Sequence, residues 1–135
     1  MRIWYNHITF MKQMKALWNV VKRLRKECPW DRKQTHRTLI PCLREESKEF
    51  ERAILSGNKN SMCEEAGDVL LQVLIHAVIA EERGKFKLED VARRLKKKLV
   101  RRHPHVFGKK RLNTPEEVLR QWAAIKKKEK KRKPK

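Results

Sequence analysis

The chain has 135 residues, 39% of them hydrophobic, which suits one domain with a modest core and leaves no run of about 18 apolar residues to span a membrane. Met1 to Phe10 carries Asn6 and His7 where a secretory leader needs an unbroken apolar stretch, and Cys28, Cys42 and Cys63 are too few and too widely spaced for a disulfide framework or a zinc site, so a cytoplasmic protein with reduced thiols is expected. The net charge of +20 points first to a polyanion, yet residues 1–90 carry 17 basic and 13 acidic side chains, whereas Val91 to Arg111 holds ten basic residues and no acid.

Apolar residues recur with helical spacing throughout, which predicts an all-α bundle of four to five helices. The first spans about Thr9 to Lys26, with Met11, Met14, Leu17, Trp18, Val21 and Leu24 on one stripe, and is stopped by Pro29. A second is capped by Thr35 or Thr38, takes Pro41 in its first turn and runs to Ser56, ahead of Gly57-Asn58. Ser61 to Glu64 reads as a capping box opening a third helix, which ends near Arg83. Leu88, Val91, Ala92, Leu95 and Leu99 form the apolar stripe of a fourth, stopped by Pro104. Thr114-Pro115-Glu116-Glu117 opens the last, whose buried face is Val118, Leu119, Trp122 and Ile125. The folded domain is therefore expected over residues 1–125, with residues 126–135 a basic, disordered tail of eight cations and Glu129.

Two helices carry acids where a core should be. On the second, Glu46 falls within the arc of Leu39, Leu43, Phe50 and Ile54, with Glu49 at its edge and Glu45 pointing further out. The third is apolar almost all round, which places it in the middle of the bundle; its polar stripe is Glu65, Asp68, Gln72 and His76. Four converging carboxylates cannot stay ionised in a low-dielectric interior without compensating charge. Lys or Arg ion pairs are one answer, but two i, i+3 pairs on neighbouring helices favour Mg²⁺ or Mn²⁺, hard cations that prefer carboxylate oxygens. Glu64 reads as a cap rather than a ligand, and His76 as a satisfied core histidine.

Lys98 and Arg102, four apart, lie along the edge of the fourth helix's apolar stripe and can reach inward; Trp122 either packs in the core or, with Lys126 four residues on, closes the pocket by stacking on a base and touching a phosphate. A metal cluster with inward cations is what a triphosphate requires.

These residues resemble the MazG nucleotide pyrophosphohydrolases, of the all-α NTP pyrophosphatase superfamily, over about Leu17 to Lys130. The family's EExxE and ExxD motifs appear as Glu45-Glu46-Ser47-Lys48-Glu49 and Glu65-Ala66-Gly67-Asp68. Flanking matches are Cys28-Pro29-Trp30-Asp31, Gln34-Thr35-His36, Arg101 to Phe107 and Thr114 to Leu119. The resemblance implies Mg²⁺ ligation by Glu46, Glu49, Glu65 and Asp68, with Glu45 helping to orient the attacking water. It also implies nucleotide contacts from Lys98, Arg102, Trp122 and Lys126, hydrolysis of a nucleoside triphosphate to monophosphate and pyrophosphate, and a homodimer. Departures are the short Lys26-Glu27 link before Cys28, Cys42 where a bulkier residue is usual, and Lys48 inside the acidic motif. The rival readings are a nucleotide-binding module without turnover, and a nucleic-acid-binding protein that uses the basic helix and tail.

Overall fold

Pro29, Pro41, Pro104 and Pro115 each stand in the first turn of a helix, where the missing N–H costs no hydrogen bond. The structure, a computed structural model describing residues 2–133, has seven helices and no strand among the described residues, in keeping with the all-α expectation. They are α1 (Arg2–Glu27), α2 (Pro29–Lys33), α3 (Ile40–Ser56), α4 (Lys59–Glu82), α5 (Leu88–Arg102), α6 (Pro104–Phe107) and α7 (Pro115–Arg132). No helix is long and apolar enough to cross a membrane among the described residues. The chain divides into two compact units, Met1–Leu88 and Glu89–Lys135.

In the first unit α4 packs against α3 and α1. Its second half supplies Leu74, Ile75, Val78 and Ile79, which close on Val21 of α1 and Leu39 just ahead of α3. Burial of each such side chain contributes about 1.5–3 kcal/mol. Leu17, Trp18, Cys42, Leu70, Leu71 and Leu88 pack against this cluster, so the small Cys42 lies beside the core. The expectation that α4 is surrounded on all sides holds only from Leu74 to Ala80, since Met62 and Val73 remain exposed.

Arg25 ties the ends of this unit together. Its guanidinium donates to the Glu82 carboxylate at the end of α4 and to the carbonyls of Asp31 and Gln34, which fixes α2 and the strand of chain that follows it. The short α2 was not expected after Pro29; at five residues it is too brief to show a period.

Two predicted caps are corrected. Helix α3 begins at Ile40 because Thr35 and Thr38 satisfy each other, each hydroxyl accepting from the other's amide at 3.2 and 2.8 Å, and so form a turn ahead of the helix. Helix α4 begins at Lys59, since the Asn58 side chain accepts from the amides of Asn60 and Ser61; Ser61 and Glu64 are thus already inside the helix and cap nothing.

In the second unit α7 opens with the expected capping box: Thr114 Oγ1 accepts from the Glu117 amide, and the Glu117 carboxylate accepts from the amide of Thr114. The stretch expected to be a disordered tail continues α7 as far as Arg132. Lys is a good helix former, and Glu129 anchors the segment by accepting from Arg101 and Arg102 of α5. Pro134 and Lys135 lie outside the described residues. The apolar stripe of α5 is only partly covered, with Leu95 and Leu99 exposed.

Candidate metal centre

The turn between α3 and α4 sets the register of the acids. Gly57, in the left-handed region at φ 69°, ends α3 with its amide on the Ile54 carbonyl, and Asn58 starts α4 at once. A connection this short folds the two helices into an antiparallel hairpin, so residues equally far from the turn sit level with one another. Glu49 and Glu65 are each eight residues from Gly57, and Glu46 and Asp68 each eleven. The ExxE spacing on one helix and ExxD on the other thus make two facing pairs.

One ligand oxygen from each of Glu46, Glu49 and Glu65 lies within 4.8 Å of the other two. All three side chains are half-buried, and Oε2 of Glu46 and of Glu65 is buried with no hydrogen-bond partner. Burial raises the pKa of Glu46 above its ordinary value, helped most by the charge of Asp68 and then of Glu49 and Glu65. Glu65 is raised likewise by burial, then by Glu49 and Asp68. The strongest charge neighbour of each is its facing partner across the hairpin. Among the described residues no Lys or Arg forms an ion pair with Glu46, Glu65 or Asp68, and the pair of Glu49 with Arg52 is at 4.0 Å. Ion pairing therefore does not account for the cluster. Crowded carboxylates with buried, unsatisfied oxygens fit a hard divalent cation.

Asp68 departs from the expectation of four inward acids. It is exposed and stands at the rim of the group, although its charge bears on both Glu46 and Glu65. Glu45 is exposed and acts on the cluster only through its charge on Glu46. Further along α4 the buried Gln72 leaves Oε1 without a partner. His76 is only half satisfied: Nδ1 meets Nδ1 of His36 at 2.7 Å, while Nε2 is buried and unpartnered.

The remaining predicted residues belong to the second unit. Lys98 is exposed; Arg102 is half-buried, with Nη2 donating to Glu129 at 2.8 Å. The Trp122 ring packs 6.0 Å from His103 and carries the Lys126 ammonium 6.0 Å from its centroid, and its Nε1 is buried without an acceptor. Sequence reasoning missed the part played by His36 and by Glu129. The first sits inside a motif already quoted, and the second is the lone acid in a run of eight cations, an oddity that could have marked it.

Fold and site together define an all-helical protein with an acidic helical hairpin suited to a divalent cation. The chain belongs to the MazG family: the MazG nucleotide pyrophosphohydrolase domain matches residues 34–107. It is 52% identical over 114 residues to the nucleoside triphosphate pyrophosphohydrolase/pyrophosphatase MazG of Thermotoga maritima, covering 83% of this chain and 43% of that protein. It is 39% identical over 119 residues to the nucleoside triphosphate pyrophosphohydrolase of Escherichia coli K12, covering 86% and 45%. The chain thus spans less than half the length of both relatives. The crystal structure of a MazG-related protein from Thermotoga maritima superposes with a TM-score of 0.71 at 27% identity, covering 84% of this chain and 98% of that one.

Proposed function

We propose that this chain is a Mg²⁺-dependent nucleoside triphosphate pyrophosphohydrolase, releasing monophosphate and pyrophosphate. The observation that carries the proposal is the three-acid cluster, whose buried oxygens have neither a hydrogen-bond donor nor an ion-pairing cation. Glu46, Glu49 and Glu65 would hold the cation, with Asp68 completing the set from the rim. Bound there, a divalent ion supplies Lewis acidity towards phosphate oxygens and offsets the repulsion among the acids.

The chain's own groups account for the rest. Glu45, exposed beside Glu46, can accept a proton from an attacking water. The nucleotide contacts that the family resemblance implies, Lys98, Arg102, Lys126 and Trp122, all belong to the second unit, whose cations suit a phosphate chain and whose indole suits a base. The apolar residues left exposed on α1, α3 and α5, among them Val20, Leu55 and Leu95, favour a homodimer that covers them.

The test is a panel of nucleoside triphosphates in Mg²⁺, with pyrophosphate and monophosphate quantified by ion-pair chromatography. Stoichiometric release of the two, lost in Glu49→Ala, is the expected outcome. Orthophosphate with diphosphate as products, or no turnover across the panel, would overturn the assignment.

A further inference from the structure

The second unit carries more positive charge than a single nucleotide needs. Residues 89–135 hold 19 Lys and Arg against five acids, a net of +14 out of the chain's +20. A groove of about 510 Å³ between α5 and α7 is lined by Lys98, Arg101, Arg102, Lys128, Arg132 and Lys133. Its one acid is Glu129, and both oxygens of that carboxylate are already taken: Oε1 accepts from Arg101 at 2.7 Å and Oε2 from Arg102 at 2.8 Å. These two guanidinium groups hold the Glu129 carboxyl down to about 2, so it stays charged and committed to them. Among the described residues Lys98, Lys128, Arg132 and Lys133 form no ion pair.

Unpaired like charges at i, i+4, such as Lys128 and Arg132, disfavour the helix that carries them. Here Glu129 bridges the helix to α5. The result is a row of cations along two walls, of which Arg101 and Arg102 are held by Glu129. Lys128 and Arg132 stand about 6 Å apart along α7, with Lys133 just past its end, so with the arginines of α5 the row can meet more than one negative charge. Ile125 gives the groove an apolar patch. On the other flank of α7, Lys127 and Lys130 border a second groove of about 490 Å³ beside Trp122, an aromatic face on which a base can stack. A cationic track next to an aromatic platform is the arrangement that grips an unpaired nucleic-acid strand, whose bases are free to stack.

We propose that the second unit binds single-stranded nucleic acid along α7, with successive phosphates on Arg101, Lys128, Arg132 and Lys133. This site does not depend on the hydrolase assignment. The strand is held by its backbone, so little sequence preference is expected, and binding falls steeply with salt.

The experiment is fluorescence anisotropy of the full chain with fluorescein-labelled mixed-sequence 20-mers, as RNA, as DNA and as the DNA duplex. Anionic phosphatidylserine vesicles serve as the comparison polyanion. Either single strand should bind with a log K against log [salt] slope of about −3, from four phosphates at about 0.7 each. The triple variant Lys128→Ala, Arg132→Ala, Lys133→Ala should weaken binding at least tenfold while triphosphate hydrolysis and helical circular dichroism stay unchanged. A second variant, Lys127→Ala with Lys130→Ala, should weaken it by a smaller factor. Absence of binding at 50 mM salt, wild-type affinity in the triple variant, or equal or tighter binding of the duplex or of the vesicles would overturn the proposal.

Discussion

Nδ1 of His36 lies 2.7 Å from Nδ1 of His76, with the two rings stacked to within 3°. One nitrogen must donate and the other accept, so the contact holds a single proton, and charging both rings would break it. Burial, followed by the proximity of His36, lowers the pKa of His76 below its ordinary 6.5.

A histidine whose pKa falls on folding makes its full contribution to stability above the unfolded value. That contribution is lost as the pH drops below 6.5 towards the folded value, because the unfolded chain binds the extra proton. Thermal unfolding between pH 7.5 and 5.5 should therefore show a midpoint that falls with acidification, and more steeply than in His76→Gln. Equal slopes in the two proteins would show that the pair does not titrate in this way.

The acid cluster predicts a trade between stability and activity. Carboxyls with a raised folded-state pKa stabilise the fold below 4.5 and lose that contribution as the pH rises through the folded value, so at neutral pH the cation-free protein carries their repulsion. Glu65→Gln should raise the melting temperature in chelator while lowering triphosphate turnover about a hundredfold or more. Mg²⁺ should then raise the melting temperature of the wild type and leave the variant unmoved. A variant that melts lower than wild type in chelator would mean that the cluster is not strained by its own charge.

Arg25 predicts a structural loss at a position far from any proposed chemistry. Its side chain is 12% exposed and bonds to Glu82 and to two carbonyls. Arg25→Ala leaves those acceptors without their charged donor, for a cost of about 2 kcal/mol. Urea unfolding of the two proteins measures it; a difference under about 0.5 kcal/mol would show that water replaces the guanidinium freely.

The Glu129 clamp predicts the order of the last turns of α7. Its carboxyl, held near 2, keeps Arg101 and Arg102 at any pH above that value. Glu129→Gln weakens both charge-assisted bonds, so the seven residues from Lys126 to Arg132 should fray and trypsin should cut among them several-fold faster. Unchanged cleavage kinetics would indicate that helix propensity alone orders the segment.

The sequence made the all-helical class legible because four of the five predicted helices have strong apolar periods, and the acids were legible because Glu46 interrupts one of them. What it could not show was the far side of each contact. Asn58 outcompeted Ser61 as a cap because its side chain reaches two amides, a choice decided by a turn geometry that a local pattern does not encode. Glu129 is a single carboxylate in a basic run, and only the nearness of α5 turns it from a solvated charge into an anchor. Asp68 matched the motif as well as Glu65 did, yet it is exposed where Glu65 is half-buried.

The tight Gly57–Asn58 corner works as a gauge for the acids on either side of it. Because Glu49 and Glu65 are counted off symmetrically from that corner, one amino acid added there would slide α4 by about 1.5 Å and swing it by about 100°. The carboxylates would then miss each other although every one of them was still present. Length at this point is thus as strictly constrained as chemical identity at the acids, and an insertion that any surface loop would absorb should here disable the centre.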